Sequence, residues 1–123
     1  MAATWESVGV DPTTSTSDTV MNVPKPTGLA VGDLMVAFGA CVEVRTISAP
    51  AGWSVQADSV DSGARVYVWT KVADSGDTAA STFTFTVSGG GYNSAEVAVH
   101  RVSGASSNTP TMGFGTGDRK SVV

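Results

Sequence analysis

The chain has 123 residues, a formal net charge of −4 and one cysteine, with 41% hydrophobic and 15% charged residues. This length fits a single domain able to bury a core. The acidic balance, with Arg45, Arg65 and Arg101 scattered singly, excludes a nucleic-acid face built on clustered cations, and a lone Cys41 excludes an internal disulfide.

Leu29, Leu34 and Ile47 are the only leucines and isoleucine, while valine, serine and threonine recur throughout. Strong helix formers are therefore scarce and β-branched residues take their place. The start, Met1-Ala-Ala-Thr-Trp-Glu, lacks the basic and apolar regions of a secretory signal, so synthesis in a reducing cytosol is expected. The longest nearly apolar run, Leu34 to Val42, falls far short of a bilayer span.

In chain order, Trp5 to Val10 reads as a first strand, closed by Asp11-Pro12 and the polar run Thr13 to Ser17. Thr19 to Val23 is a second, stopped by Pro24 and Pro26, which donate nothing to a ladder. The third and longest spans Leu34 to Arg45. Leu34, Val36, Phe38, Ala40, Val42 and Val44 fall on one face, read as firmly buried. Met35, Ala37, Gly39 and Cys41 lie opposite, small and apolar before Glu43 and Arg45, which suits a strand covered on both sides near its start. Cys41 itself reads as a buried, inert thiol.

Pro50-Ala51-Gly52 precedes a fourth strand, Trp53 to Val60, and Asp61-Ser62-Gly63 reads as a hairpin turn. Arg65 to Val72 follows, with Val66, Val68, Thr70 and Val72 opposite Arg65, Tyr67, Trp69 and Lys71. Asp74-Ser75-Gly76-Asp77 is a turn signal. Next, Thr82 to Ser88 alternates Phe83, Phe85 and Val87 toward the core with threonines away from it. Gly89-Gly90-Gly91 turns the chain into Ala95 to Val102, where Ala95, Val97 and Val99 share a face. Periodicity then fades. The organisation expected is a β-sandwich domain over residues 1–112 and a glycine-rich tail over 113–123.

About seven such strands cannot lie as one flat sheet, so the fold class expected is all-β, an antiparallel β-sandwich of jelly-roll or immunoglobulin-like form. Catalytic groups are sparse. His100 is the only histidine, no Gly-x-Ser-x-Gly elbow occurs, and Cys41 has no activating motif, so no enzyme and no cofactor is expected. One histidine and one cysteine cannot fill a transition-metal shell. Asp58, Asp61, Asp74 and Asp77 match no calcium-loop spacing, and acidic residues are common in turns. Glu43 and Glu96 read as strand-surface carboxylates, and Gly89 to Gly91 as a turn and not a phosphate cradle.

The aromatic residues raise a different question, because amphipathic rings suit sugar faces and protein interfaces. Tyr67 and Trp69 share one face of their strand. Two readings stand: both rings pack inside the sandwich, or they form an outer contact with a partner. Tyr92-Asn93, at a loop tip, is the second contact candidate.

Four segments resemble a β-sandwich family that recurs in bacteriophage and prophage structural proteins. They are Lys25-Pro26 with Gly32-Asp33-Leu34, Pro50-Ala51-Gly52-Trp53, Val66-Tyr67-Val68-Trp69-Thr70-Lys71-Val72, and Thr82-Phe83-Thr84-Phe85. Val99 to Gly104 and Thr109-Pro110 extend the likeness across residues 19 to 110. The resemblance implies a virion surface component, either a head decoration protein or a tail protein, with no catalytic residues to carry over. Its partners would be major capsid or tail proteins and copies of itself, with no nucleic acid and no membrane. The alternative is a tail or tail-fibre module that binds host glycans. Similar domains often continue with further strands after the Thr-Pro turn, so an open strand edge covered by neighbouring subunits is expected. The segment after Gly113, with Phe114, Arg119 and Lys120, is then expected to reach onto a partner.

Overall fold

A computed structural model describes residues 3–10, 20–42, 45–88 and 95–104. Its strands are β1 (Thr4–Val10), β2 (Val20–Pro24), β3 (Leu34–Val42), β4 (Ile47–Ser48), β5 (Ser54–Asp61), β6 (Ala64–Val72), β7 (Thr82–Val87) and β8 (Ala95–Ser103), with one short helix, α1 (Ser75–Ala79). All pairings are antiparallel. They form a five-stranded sheet, β1-β8-β3-β6-β5, and a three-stranded sheet, β2-β7-β4. The all-β antiparallel sandwich is therefore present, with the two-residue β4 added to the seven expected strands.

The core lies between the sheets. Met21, Val23, Ile47, Phe83, Phe85 and Val87 project from the smaller sheet onto Met35, Ala37, Cys41, Tyr67, Trp69, Val97 and Val99 of the larger. Period-two alternation in β7 and β8 places their apolar residues inward as expected. Cys41 is buried.

In β3 the expected inward face is reversed from Phe38 onward, and in β6 the reading with both rings inside the sandwich holds. Met35, Ala37, Gly39 and Cys41 line the core, while Phe38, Ala40 and Val42 face outward and are exposed. The physical reason is volume matching across the ladder. Gly39 stands opposite Tyr67, and a methyl built on it would lie 2.7 Å from the Trp69 ring. The large inward rings of β6 need small inward residues beside them on β3, as close packing requires. The expectation of cover on both sides near the start of β3 holds, since Leu34 and Val36 are buried in a second cluster with Val68 and Val102.

Turn chemistry fixes the frame. Ser62 and Gly63 both have positive φ, 49° and 83°, between the paired Asp61 and Ala64. A two-residue hairpin of this hand matches the strand twist. Asp33 closes the turn before β3: its carboxylate accepts from the Ala30 N–H (2.9 Å) and from Arg101 Nε (2.6 Å). The Gly32-Asp33 motif thus ties β3 to β8. The expected turn at Asp74–Asp77 is instead the capping box of α1. The Asp77 N–H donates to Asp74 and the Asp74 N–H to Asp77, both at 2.9 Å.

The two flanks of the sandwich differ. On one, β1 lies against the end of β2, where a methyl on Gly9 would collide with the Pro24 carbonyl, and Ser7 Oγ donates to the Thr27 carbonyl at 2.8 Å. On the other, among the described residues, the narrower sheet ends at β4 and leaves the inner side of β5 open, with Val55 and Val60 exposed.

Candidate functional site

The outer side of the five-stranded sheet is the most distinctive surface among the described residues. Cross-strand register places Trp5 beside Val102, Val8 beside His100, Phe38 between Val68 and Ala98, and Ala40 between Val66 and Glu96. Trp5 is 58% exposed, Val8 47%, Phe38 37%, Val42 58% and Val66 48%. Each of these falls at the outward position of its strand, so the pleat gathers them into one patch. Exposed apolar residues scattered singly, such as Val20 and Val31, are ordinary; contiguous ones mark contact surfaces.

An aromatic trio organises the patch. The His100 ring stands edge-on to Trp5 (5.1 Å between centroids) and to Phe38 (5.3 Å), while Trp5 and Phe38 stack at 6.5 Å. Such contacts orient the rings across β1, β8 and β3. Burial pushes the His100 imidazole below its ordinary pKa, so the neutral ring is favoured at neutral pH.

The cations of these strands stand on the other side. Arg65 is paired with Cys41, and Lys71 and Arg101 with Met35, all at inward register positions. Among the described residues at paired register positions, the outward charges are Glu96 and Asp61, at the end of the sheet that carries Val42 and Ala64. The face is apolar at its centre and acidic at one end.

A second feature lies on the open flank. A cleft of about 350 Å³ is bordered by Ile47, Trp53, Val55, Arg65, Tyr67 and Trp69. At its rim Arg65 donates to both Asp58 oxygens, at 2.8 and 2.7 Å, and this pairing lowers the Asp58 pKa. The Arg65 guanidinium lies 4.9 Å from the Tyr67 ring centre, and Trp69 stacks on Tyr67, also at 4.9 Å. Both faces of the Tyr67 ring are therefore occupied by the protein. Its hydroxyl is buried without a hydrogen-bond partner.

Tyr67 and Trp69, considered as partner contacts, are 4% and 1% exposed. Of the two readings given for them, packing inside the sandwich holds and the partner contact does not, because the aromatic side of β6 is the core side. Tyr92, Asn93, Phe114, Arg119, Lys120 and the boundary between 112 and 113 lie outside the described residues. The four aspartates weighed for calcium do not converge. Asp58 pairs with Arg65, and Asp74 and Asp77 hold Lys71 at 3.4 and 2.9 Å. Among the described residues no group of three metal-ligating side chains forms, and no helix is long and apolar enough to cross a membrane.

Sequence reasoning missed the outer patch because it took the Leu34–Val44 face for the core. The signal that marks it is the pairing of small inward residues on β3 with bulky rings on β6, which needs the strand order to be read. No protein-family model, no curated protein and no solved structure matches the chain.

Proposed function

We propose that this chain is a non-enzymatic structural protein of a bacteriophage particle, built onto the virion surface as a head decoration protein that stabilises the shell through subunit contacts. The observation that carries the reading is the outward apolar face of the large sheet, with Trp5, Val8, Phe38, Val42 and Val66 exposed together. A surface of this kind has a use when another protein covers it. The segments that resemble phage structural domains support the same reading. Among them, Gly32-Asp33 and Trp69 hold turn and core in place and carry no chemistry of their own. Many copies arrayed on one particle turn modest contacts into useful stabilisation.

The glycan-binding alternative draws on aromatic ring faces open to solvent. With Tyr67 and Trp69 interior, the tryptophans left to it are Trp5, exposed on the outer face, and Trp53, beside the cleft. A glycan array with the Trp53→Ala variant tests that alternative.

Copy number tests the proposal. Quantitative mass spectrometry of purified particles is expected to find on the order of hundreds of copies, the multivalent regime in which weak contacts sum. A few copies per particle would move the chain to the tail, and none would remove it from the virion.

A further inference from the structure

We infer that the outward face of the five-stranded sheet is a self-association surface, on which a second copy of this chain packs sheet against sheet. The inference rests on the reading of this face as a contact surface. It does not rest on the virion assignment, which a low copy number would overturn while leaving the self-association intact.

Area comes first. From the exposures of Trp5, Val8, Phe38, Val42 and Val66, with the smaller Ala40 and Ala98 between them, the face offers roughly 500 Å² of apolar surface, the scale that marks contact sites on single chains. Two copies face to face would bury about 1,000 Å² of it. With the polar rim added, the total reaches about 1,200 Å², the lower bound for a specific interface. A pair of this size forms measurably at high concentration and is reinforced when many copies are held together.

Charge then selects the occupant. Partners of a different kind are usually chosen by complementary charge, and like charges reject the wrong ones. Among the described residues at outward register positions this face has no cation, and its carboxylates, Glu96 and Asp61, sit at one end only. Nothing at its centre repels its own copy. A two-fold arrangement with the two copies' strands running in opposite directions keeps the acidic ends apart and lays Trp5 and Phe38 against apolar neighbours. Closed two-fold pairs are the commonest assemblies of identical chains, and aligned sheets pack about 10 Å apart through side chains of this size.

The competing strand edges of this sheet are less suitable: at one, β1 carries a register shift between Trp5 and Ser7. At the other, β5 carries a register shift between Val55 and Ala57 and the acidic pair Asp58 and Asp61. Bulges and charges are devices that blunt edge pairing. Association is therefore directed to the face and away from these edges.

Sedimentation velocity and equilibrium on the full chain, from about 1 µM to about 500 µM, spans the affinity expected of an interface this small. The full chain is expected to shift from monomer toward dimer across that range. Phe38→Glu and Val66→Glu are expected to weaken association at least about tenfold, as charges placed in an interface centre do. Val31→Glu, exposed in the turn before β3 and outside the strands of the face, is expected to leave it unchanged, and circular dichroism checks that every variant stays folded. A full chain that remains monomeric throughout overturns the inference. So does equal association of the Phe38→Glu and Val31→Glu variants. Protection of Trp5 from oxidation in the full chain at monomeric dilution would give the face to another segment of the same chain, and the second-copy assignment would fail.

Discussion

Replacing Gly39 with alanine probes the reversed packing of β3 at its tightest point. A methyl there would lie 2.7 and 2.8 Å from two carbons of the Trp69 six-membered ring and 3.4 Å from a Val97 methyl. Carbon atoms rest about 3.5–4.0 Å apart, so ring or strand must yield by roughly 1 Å. The ring has little room, being stacked on Tyr67 and 5.2 Å from Phe85. Overpacking of this kind costs about 1–3 kcal/mol. Gly39 is not in the left-handed backbone region, so alanine also gains about 0.5–1 kcal/mol by restricting the unfolded chain. The net expectation is a loss of about 1–2 kcal/mol, which lowers the urea midpoint by about 1 M at the slope of a small domain. Trp69→Phe in the same background removes the offending ring atoms, so the two substitutions together should cost less than their sum. An unchanged or raised midpoint for Gly39→Ala, or strict additivity with Trp69→Phe, would refute the packing described for β3 and β6.

Other expectations follow from particular groups. Tyr67→Phe removes a buried hydroxyl that has no partner, so stability should rise by about 1 kcal/mol in thermal or urea unfolding; a loss would show that the hydroxyl is bonded through the cleft. Burial holds the His100 pKa below its unfolded value. Its contribution is therefore present above about pH 6.5 and lost as pH falls toward the folded value. Unfolding midpoints measured from pH 7.5 to 5 should decline, and His100→Gln should flatten that decline. Asp77→Ala deletes one arm of the α1 capping box and the 2.9 Å partner of Lys71, and should cost about 1–2 kcal/mol by denaturant titration.

Much of this fold is legible in the residues, and the part that is not has a common cause. Phe83, Phe85 and Val87 alternate with threonines so plainly that their inward face follows from the period alone. The Asp61-Ser62-Gly63 turn is equally readable, since Ser62 and Gly63 take the positive φ that such hairpins need. In β3 both faces are apolar over residues 34–42, and in β6 the face with Tyr67 and Trp69 also carries Arg65 and Lys71, so hydrophobicity alone does not choose the inward side. The choice lies in how Ala37 and Gly39 fit Trp69 and Tyr67 across the ladder, information carried by strand order and not by either strand. The same reversal hides the candidate surface. Phe38, Val42 and Val66 look like core in one dimension and become surface once the rings opposite them claim the interior. The α1 helix is short enough to read as a turn, because Asp74 and Asp77 are turn formers and cap formers alike.

Oxidative footprinting of the tryptophans tests the central claim, that the outward face of the large sheet is where this chain meets its partner. Trp5 lies on that face, and Trp53 lies on the cleft flank and serves as an internal reference. In dilute protein Trp5 is expected to oxidise readily, in keeping with its exposure. In concentrated protein and in assembled particles Trp5 and Phe38 should become protected while Trp53 keeps its reactivity. Unchanged oxidation of Trp5 on assembly, or protection of Trp53 in its place, would contradict the account.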